Sequence, residues 1–439
     1  MKRLIKSILP DRLVLFYHYC VAQFAALLYA WPSKKMITIG ITGTKGKTST
    51  ANFIWACLMA GGIKTGFIST ANIRIGENEV MNRYHMTMPG RFIIQKLMRE
   101  MVKAGCKACV VETTSEGLKQ FRHVGVFYDI AVFTNLTPEH LQAHGGSFEE
   151  YKKMKGKMFT ALGKKHKIIG RKRVRKVIIA NRDSEHASYF LQFPADKKLT
   201  YSLDAPSNCR AKNIQELTDG VSFEVGKQKY KLGVLGKFNV YNALPAILVA
   251  NLLGVPDSKI TRGLRELTLI PGRMEVINEG QKFTVIVDYA HEKQSIRNVL
   301  ETANAMNRAD GLHKKTAKTI ILLGAEGGGR DAAKRPIMGE LSAQLADIVI
   351  VSNVDPYEDD PTRIVEDIAV AAEAHGKVRE KNLFVIEDRR EGIRKALALA
   401  KPGDIVLITG KGAEQSIVIG GKSSPWDDRT VVREELRKL

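Results

Sequence analysis

From Met36 the apolar and polar positions fall into a strand, a glycine-rich loop and a helix. Ile37 to Ile41 is apolar and β-branched, residues 42–47 hold the glycines, and Thr48 to Ala60 reads as helical. Short apolar runs at Ala108 to Val111, Ile130 to Thr134 and Val177 to Ala180, with helical stretches such as Arg91 to Lys103 between them, continue one parallel sheet. Residues 198–234 read as short strands and turns, and Asn239 to Leu253 as a helix stopped by Gly254 ahead of Pro256. Pro271-Gly272 interrupts the apolar pattern, and a second series follows: Val285 to Asp288, Ile320 to Leu323, Ile348 to Val351, Leu383 to Ile386 and Ile405 to Thr409, separated by helix-length segments. Such alternation predicts a doubly wound α/β domain. The chain is therefore expected to have three parts: a helical N-terminal segment over 1–35, a parallel-sheet domain over 36–270 and a doubly wound α/β C-terminal domain over 271–439.

Composition adds limits. With 44% hydrophobic and 26% charged residues in 439, the chain has the balance of a folded globular protein. The net charge of +22 fits nucleic acid, anionic lipid or anionic small substrates. No repeated basic-aromatic pattern favours nucleic acid, and the basic run Lys164 to Lys176 reads as a solvated loop with no assigned role. Five scattered cysteines fit a reducing compartment, and Cys106-x-x-Cys109 lacks the second pair that zinc needs and runs into an apolar strand, so it reads as core packing.

The loop Thr42-Gly43-Thr44-Lys45-Gly46-Lys47-Thr48-Ser49 follows a buried-type strand and opens a helix, the context that makes a glycine loop informative. Backbone N–H groups at a helix N-terminus then face phosphates, Lys47 reaches the terminal ones, and the Thr48 hydroxyl can sit on Mg²⁺. Ile41 stands where the commoner spacing has its first glycine. The expected architecture of residues 36–270 is thus a P-loop-type ATPase domain.

An ATP site also bears on the first residues. Leu13 to Trp31 carries no formal charge and is flanked by Lys2, Arg3, Lys6 and Arg12 before it and Lys34 and Lys35 after it, close to a membrane-segment or signal-peptide pattern. Export would strand the loop away from ATP, and His18, Gln23 and several aromatics dilute the apolar run. Two readings stand ahead of a true span: a helix packed on its own protein, or a helix of residues 10–31 lying on the inner membrane surface. A cytoplasmic location follows from either.

The motif string resembles the Mur ligase family. Beyond the loop, Val110-Val111-Glu112-Thr113-Thr114-Ser115-Glu116-Gly117-Leu118 is similar to the family's E-x-S-S-H-G-L segment, and Phe133 to Leu141 with His144-Gly145 to its T-N-L-x-x-D-H-L-x-x-H-G. Leu235-Gly236-Lys237-Phe238-Asn239-Val240-Tyr241-Asn242, Pro271-Gly272-Arg273-Met274-Glu275, Val287-Asp288-Tyr289-Ala290-His291, Arg330-Asp331 with Lys334-Arg335-Pro336, Gly410-Lys411-Gly412-Ala413-Glu414 and Asp427-Asp428-Arg429 follow in family order. The likeness is nearest to members that add the third peptide residue to a UDP-muramoyl dipeptide.

The resemblance implies a carboxylate activated as an acyl phosphate and joined to an amino acid, with two magnesium ions offsetting the gathered charge. It implies a catalytic set of Lys47, Glu112, His140 and Lys155, with Thr48, Glu112, His140 and a carbamate on Lys155 as metal ligands. Tyr151 to Lys155 has the family's tyrosine–lysine spacing, and a carbamate supplies the oxygen ligand that an ammonium cannot. Taken alone, Glu112 reads equally as a helix cap, His140 as a surface residue and Lys155 as part of a solvated basic helix.

ATP contacts are implied for Gly43, Thr44, Lys45, Gly46, Lys47, Thr48, Ser49, Asn239, Asn242, Arg273, Asp288 and His291. The acyl substrate, an anionic muropeptide, is assigned Thr87, Thr114, Ser115, Gln120 and Arg122, and the amino acid Asp355, Tyr357, Gly410 and Glu414. A monomer is expected, and no nucleic-acid partner. The pattern departs from the family in four ways: a 35-residue segment stands where relatives carry a UDP-binding domain, Glu116 replaces the histidine of E-x-S-S-H-G-L, Tyr357 replaces the arginine of D-N-P-R, and Ala413 replaces the histidine of G-K-G-H-E. Two alternatives remain: a folylpolyglutamate synthase-like ligase, and a membrane-surface nucleotide-binding scaffold without ligase activity.

Overall fold

The computed structural model describes residues 11–84, 86–139, 141–163, 166–309, 317–329 and 332–439. Two compact units emerge: the first holds residues up to Asn213 with Phe223–Tyr230 and Val240–Leu267, the second Ile214–Ser222, Lys231–Asn239 and Thr268–Leu439.

The first unit is built on parallel strands in the order Val177–Asn181, Ile130–Phe133, Ile37–Thr42, Ala108–Glu112 and Thr65–Ile68. These strands are almost wholly buried because helices cover both faces, so they read as continuous apolar runs rather than alternating ones. Antiparallel Asn72–Ile75 and Asn78–Met81 extend one edge. At the other edge lie Lys197–Ser202, Cys209–Leu217, Gly220–Val225 and Gln228–Leu232. The run expected over 198–234 is therefore a series of strands. The three four-residue strands between Thr65 and Met81 have no counterpart in the sequence reading; Gly66, Asn72, Arg74, Asn78 and Glu79 break the continuous apolar run that marks the strands expected from sequence.

In the second unit the spatial order is Glu275–Ile277, Thr284–Asp288, Ile405–Thr409, Thr319–Leu323, Ile348–Val351 and Leu383–Val385. All pairs are parallel except the first. One face packs a core around Ile296, Leu300, Met338, Ile364 and Ile368, the other a core around Ile393, Leu397, Val431 and Val432, so helices cover both sides as in doubly wound folds. The last strand inserts between the first two parallel ones, making a crevice at their carboxyl ends, where open α/β sheets bind ligands. Asp288 and Thr409 are register partners there.

The segment Asp11–Leu28 is an 18-residue helix. Its Ala22, Ala25 and Ala26 are buried, and a Cβ added at Gly125 would meet the Ala26 methyl at 2.3 Å, so the close approach requires glycine there. Ser33 fastens the connection to the first strand: its hydroxyl donates to Gly125 O at 2.9 Å and accepts from Phe127 N at 3.1 Å.

Candidate active site

The phosphate-type loop leaves the first strand at Thr42 and enters the helix Lys47–Ala60. Gly46, the residue before the helix, sits at φ 81° with the Asn242 Oδ1 only 2.1 Å from where its Cβ would be. A Cβ at Gly43 would meet Thr134 Oγ1 at 1.9 Å. Neither position admits a side chain. The loop is held from outside: Thr44 N donates to Asn135 O at 2.9 Å, Lys45 N to Asn135 Oδ1 at 2.8 Å, and Thr134 Oγ1 to Lys45 O at 2.7 Å. The first turn of Lys47–Ala60 presents N–H groups that the helix cannot satisfy internally, a ready anion cradle. Thr48 and Ser49 are buried in that turn.

Glu112 ends the strand Ala108–Glu112, and its register with Ile41 brings it beside the loop. Its carboxylate is buried and accepts from Thr48 Oγ1 at 2.9 Å, Thr70 N at 2.9 Å and Thr70 Oγ1 at 3.0 Å, with Lys47 Nζ 4.0 Å away. Thr70 and Thr87 hydroxyls are 2.9 Å apart. Since Thr70 directs its one hydroxyl proton to Glu112, Thr87 is the donor in that pair. The result is a polar chain Thr48–Glu112–Thr70–Thr87 leading from the loop.

Lys155 projects from the helix Phe148–Gly163, is almost fully buried, and donates from Nζ to Gly43 O at 2.8 Å. Burial, and then the charge of Lys47, hold its amine well below the ordinary lysine range. Tyr151 lies one turn earlier, with Lys155 Nζ 4.5 Å from its ring centre and its hydroxyl 3.3 Å from Thr44 Oγ1. Lys155 is thus a buried residue under the loop, not part of a solvated face. Lys45 pairs with Glu139 at 2.9 Å. His140 lies outside the described residues, as do Arg330 and Asp331. Among the described residues no group of three or more His, Cys, Asp or Glu side chains gathers around a metal position. The oxygen donors that fit Mg²⁺ are the adjoining Thr48 hydroxyl and Glu112 carboxylate.

The residues assigned to the acyl substrate follow directly. Thr114 caps Ser115–Lys119, accepting from Gly117 N, and Ser115 Oγ is 3.0 Å from Nε2 of His144, whose imidazole is pulled below its ordinary pKa by burial. Arg122 donates from Nη2 to Gln120 Oε1 at 2.7 Å and from Nη1 to Met88 O. Arg91, which no motif singled out, donates from Nη2 to Gln120 O at 2.6 Å, and its field reaches Arg122. Two guanidiniums thus flank Gln120, an arrangement suited to a carboxylate-bearing peptide. Thr70 and Arg91 escaped the sequence reading because their roles arise from folding, not spacing.

The remaining predicted residues lie in the second unit, apart from Asn242, which is in the first. Asn239 donates to Leu235 O at 2.7 Å. Asp288 accepts from Met274 N and Ala290 N, each at 2.7 Å. The Arg273 guanidinium stands 4.3 Å from the centre of the Tyr289 ring, and His291 Nδ1 is 2.6 Å from Tyr289 O. Asp355 and Glu414 converge on the buried Lys411, whose Nζ donates at 2.6 Å to the first and 2.7 Å to the second. Lys411 belongs to a quoted motif, but its position between two carboxylates was not evident from spacing. Tyr289 OH donates to Glu414 at 3.1 Å, and Gly410 N donates to Asp288 O at 3.2 Å. Tyr357 takes φ 54°, its ring lying against Gly328.

Comparison with known proteins agrees with this layout. The Mur ligase middle domain matches residues 41–250, and the family described as "Mur ligase, glutamate ligase domain" matches residues 272–412. A UDP-N-acetylmuramyl-tripeptide synthetase of Roseiflexus sp. (strain RS-1) is 37% identical over 95% of this chain and 82% of its own length. A UDP-N-acetylmuramoyl-L-alanyl-D-glutamate–2,6-diaminopimelate ligase of Bacillus cereus is 36% identical over 95% and 81%. A solved structure of the latter kind of ligase superposes with TM-score 0.60 at 28% identity, covering 92% of this chain and 79% of that one. Mycobacterium tuberculosis folylpolyglutamate synthase shares the fold, with TM-score 0.68 at 18% identity over 95% and 94%. With likeness of this extent running through both units, the chain belongs to the Mur ligase family.

Proposed function

We propose that the chain activates a muramoyl-dipeptide-like carboxylate with ATP and joins it to an amino acid, with residues 36–270 as the ATP-binding domain and 271–439 as the C-terminal ligase domain. The observation that supports this most is the polar chain Thr48–Glu112–Thr70–Thr87, which links the nucleotide loop to the side where Gln120 and Arg122 offer a carboxylate site. ATP supplies the γ-phosphoryl group: it passes to the carboxylate oxygen and ADP leaves. The amine then attacks the acyl carbon, phosphate departs, and the nitrogen loses its proton as the amide forms.

In this reading Gly43 to Ser49 cradle the phosphates, Lys47 offsets their charge, and Thr48 with Glu112 would hold one Mg²⁺. Glu112 with His140 and a carbamate on Lys155 would hold a second ion. Burial disfavours the ammonium form of Lys155, so its amine is more readily available to attack carbon dioxide; the nitrogen gives up a proton, and the resulting carbamate is the oxygen ligand this position would contribute. Asn239, Asn242, Arg273, Asp288 and His291 contact ATP, Thr87, Thr114, Ser115, Gln120 and Arg122 the peptide, and Asp355, Tyr357, Gly410 and Glu414 the amino acid. The protein works as a monomer in the cytoplasm, at the inner face of the membrane.

Mass spectrometry tests the proposal. Purified chain with ATP, Mg²⁺, UDP-muramoyl-L-Ala-D-Glu and a panel of amino acids should yield an amide product and ADP, and Lys47→Ala should abolish both. A tetrahydrofolate acceptor offered in parallel separates the folate-type ligase. ATP consumption without an amide product from any acceptor would leave the scaffold reading standing instead.

A further inference from the structure

The helix Asp11–Leu28 is turned inside out relative to an ordinary surface helix. Its buried stripe is small, Ala22, Ala25 and Ala26, while most of its large apolar side chains point away. At 3.6 residues per turn, Phe16, Leu27, Cys20, Leu13, Phe24, Tyr17 and Leu28 fall in one arc of about 120°, opposite the alanines. All are exposed: Phe16 at 65%, Tyr17 at 62% and Leu28 at 60%. The neighbouring helix Arg91–Lys103 continues the patch with Phe92, whose ring meets that of Phe24 edge-on at 6.2 Å between centres. Single exposed apolar residues are ordinary, but a continuous uncharged face of this kind marks a contact surface.

The charge around the face selects its occupant. Lys34 and Lys35 follow the helix and are exposed, Lys34 standing 4.8 Å from the centre of the Trp31 ring. Lys96 is exposed on the neighbouring helix beside Glu100. No acidic residue occurs between Arg12 and Gly76, and the whole chain carries +22. Lysines at the end of an apolar face suit a surface that is anionic outside and hydrocarbon beneath. No helix among the described residues is long and apolar enough to cross a membrane, and one side of this helix is already packed on protein, so it can lie on a bilayer but not span it.

We propose that this face docks the protein on an anionic lipid bilayer, the helix lying flat at the headgroup level with Phe16, Phe24 and Leu27 inserted. Tyr19 packs edge-on against Phe121, between Gln120 and Arg122, so docking holds that turn near the lipid surface. The inference deepens the membrane-face location proposed above and is independent of the ligase chemistry.

The test is flotation of the full chain with vesicles of phosphatidylglycerol and phosphatidylcholine, or of phosphatidylcholine alone, without nucleotide or acceptor. At least tenfold more protein should float with the anionic vesicles, and 0.5 M salt should lower that fraction. Phe16→Ser with Leu27→Ser should remain in the soluble fraction while keeping the wild-type thermal melt and ATP turnover. Lys34→Glu with Lys35→Glu should weaken flotation by a smaller factor. The proposal fails if wild-type protein does not float with anionic vesicles, or if the serine variant floats equally. It fails also if sedimentation without lipid shows a dimer that the serine variant converts to monomer, since the face would then belong to a second copy. Amide synthesis is read separately, so either proposal can fail without the other.

Discussion

Lys155 Nζ lies 2.8 Å from the carbonyl oxygen of Gly43, so a buried amine supports the turn that shapes the phosphate cradle. The same burial makes the ammonium form costly. For an amine with a lowered folded pKa, the unfolded chain binds the proton more tightly; the resulting penalty on folding grows as pH falls below about 10.5, until the folded value is reached, and is constant beneath it. Lys155→Met removes this penalty. Its melting temperature should equal or exceed that of the wild type, while amide synthesis falls on the order of 10²–10³-fold if the lysine carries a metal-binding carbamate. A carbon-13 carbamate signal in wild type grown on labelled bicarbonate, absent from the variant, would identify the modification. A variant with unchanged synthesis would reduce Lys155 to a structural prop.

Thr70 offers a sharper view of the carboxylate. It donates to Glu112 from both backbone and side chain, so Thr70→Val keeps one bond to the carboxylate and deletes the other, together with the acceptor for Thr87, without opening a cavity. A hydrogen bond to a charged group contributes roughly 1.5–3 kcal/mol, which corresponds to about a tenfold to hundredfold fall in kcat if Glu112 must hold its position during phosphoryl transfer. The Mg²⁺ concentration giving half-maximal rate should rise in parallel. Glu112→Gln should lose more, because the charge itself is gone. Equal activity in Thr70→Val would detach Thr70 from the site.

What the chain revealed beforehand follows from how local each signal is. Thr42 to Thr48 was legible because strand, glycine loop and helix are contiguous, and each carries its own pattern. Thr70 was not: it sits between two four-residue strands and reaches Glu112 across 42 residues. Lys411 was visible as a motif member, but its bond to Asp355 spans 56 residues and depends on the crevice beside the last strand. Nor could spacing show that Asn242 stands over Gly46, where the left-handed backbone already demands glycine. The apolar run after Leu13 suggested either a packed helix or one on a membrane surface; packing of the small face leaves the large one outward, compatible with both at once.

Tyr357 bears on amino-acid choice. Its backbone is anchored to the strand Ser416–Ile419, with Tyr357 N donating to Val418 O at 3.2 Å, so substitution changes the side chain more than its placement. A phenol cannot make the paired contacts by which a guanidinium holds a carboxylate. Tyr357→Arg should therefore shift preference toward an amino acid with a second carboxylate. In competition between lysine and meso-diaminopimelate, read by product mass, the ratio should move by about tenfold or more, roughly one charge-assisted bond. An unchanged ratio would exclude Tyr357 from the pocket.

Arg389 and Asp428 form the most deeply buried ion pair among the described residues of the second unit, both side chains without solvent exposure. Two parallel bonds join them: Arg389 Nε donates at 2.8 Å and Nη2 at 2.6 Å, and Nη2 also donates to Thr409 O at 2.8 Å. Trp426 Nε1 adds a donor to Asp428 at 2.8 Å. The pair sits beneath the strand end whose next residue is Gly410, so it fixes the crevice without touching a substrate. Asp428→Asn keeps the size but leaves the guanidinium charge uncompensated, at a cost of about 3–5 kcal/mol. The denaturant midpoint should fall accordingly with an unchanged slope, since the surface exposed on unfolding is the same. Because the strand end would loosen too, the KM for the amino acid should rise in the folded fraction while the KM for the acyl acceptor stays near its wild-type value. An unfolding free energy within about 0.5 kcal/mol of wild type would mean that the pair contributes no more than an exposed one.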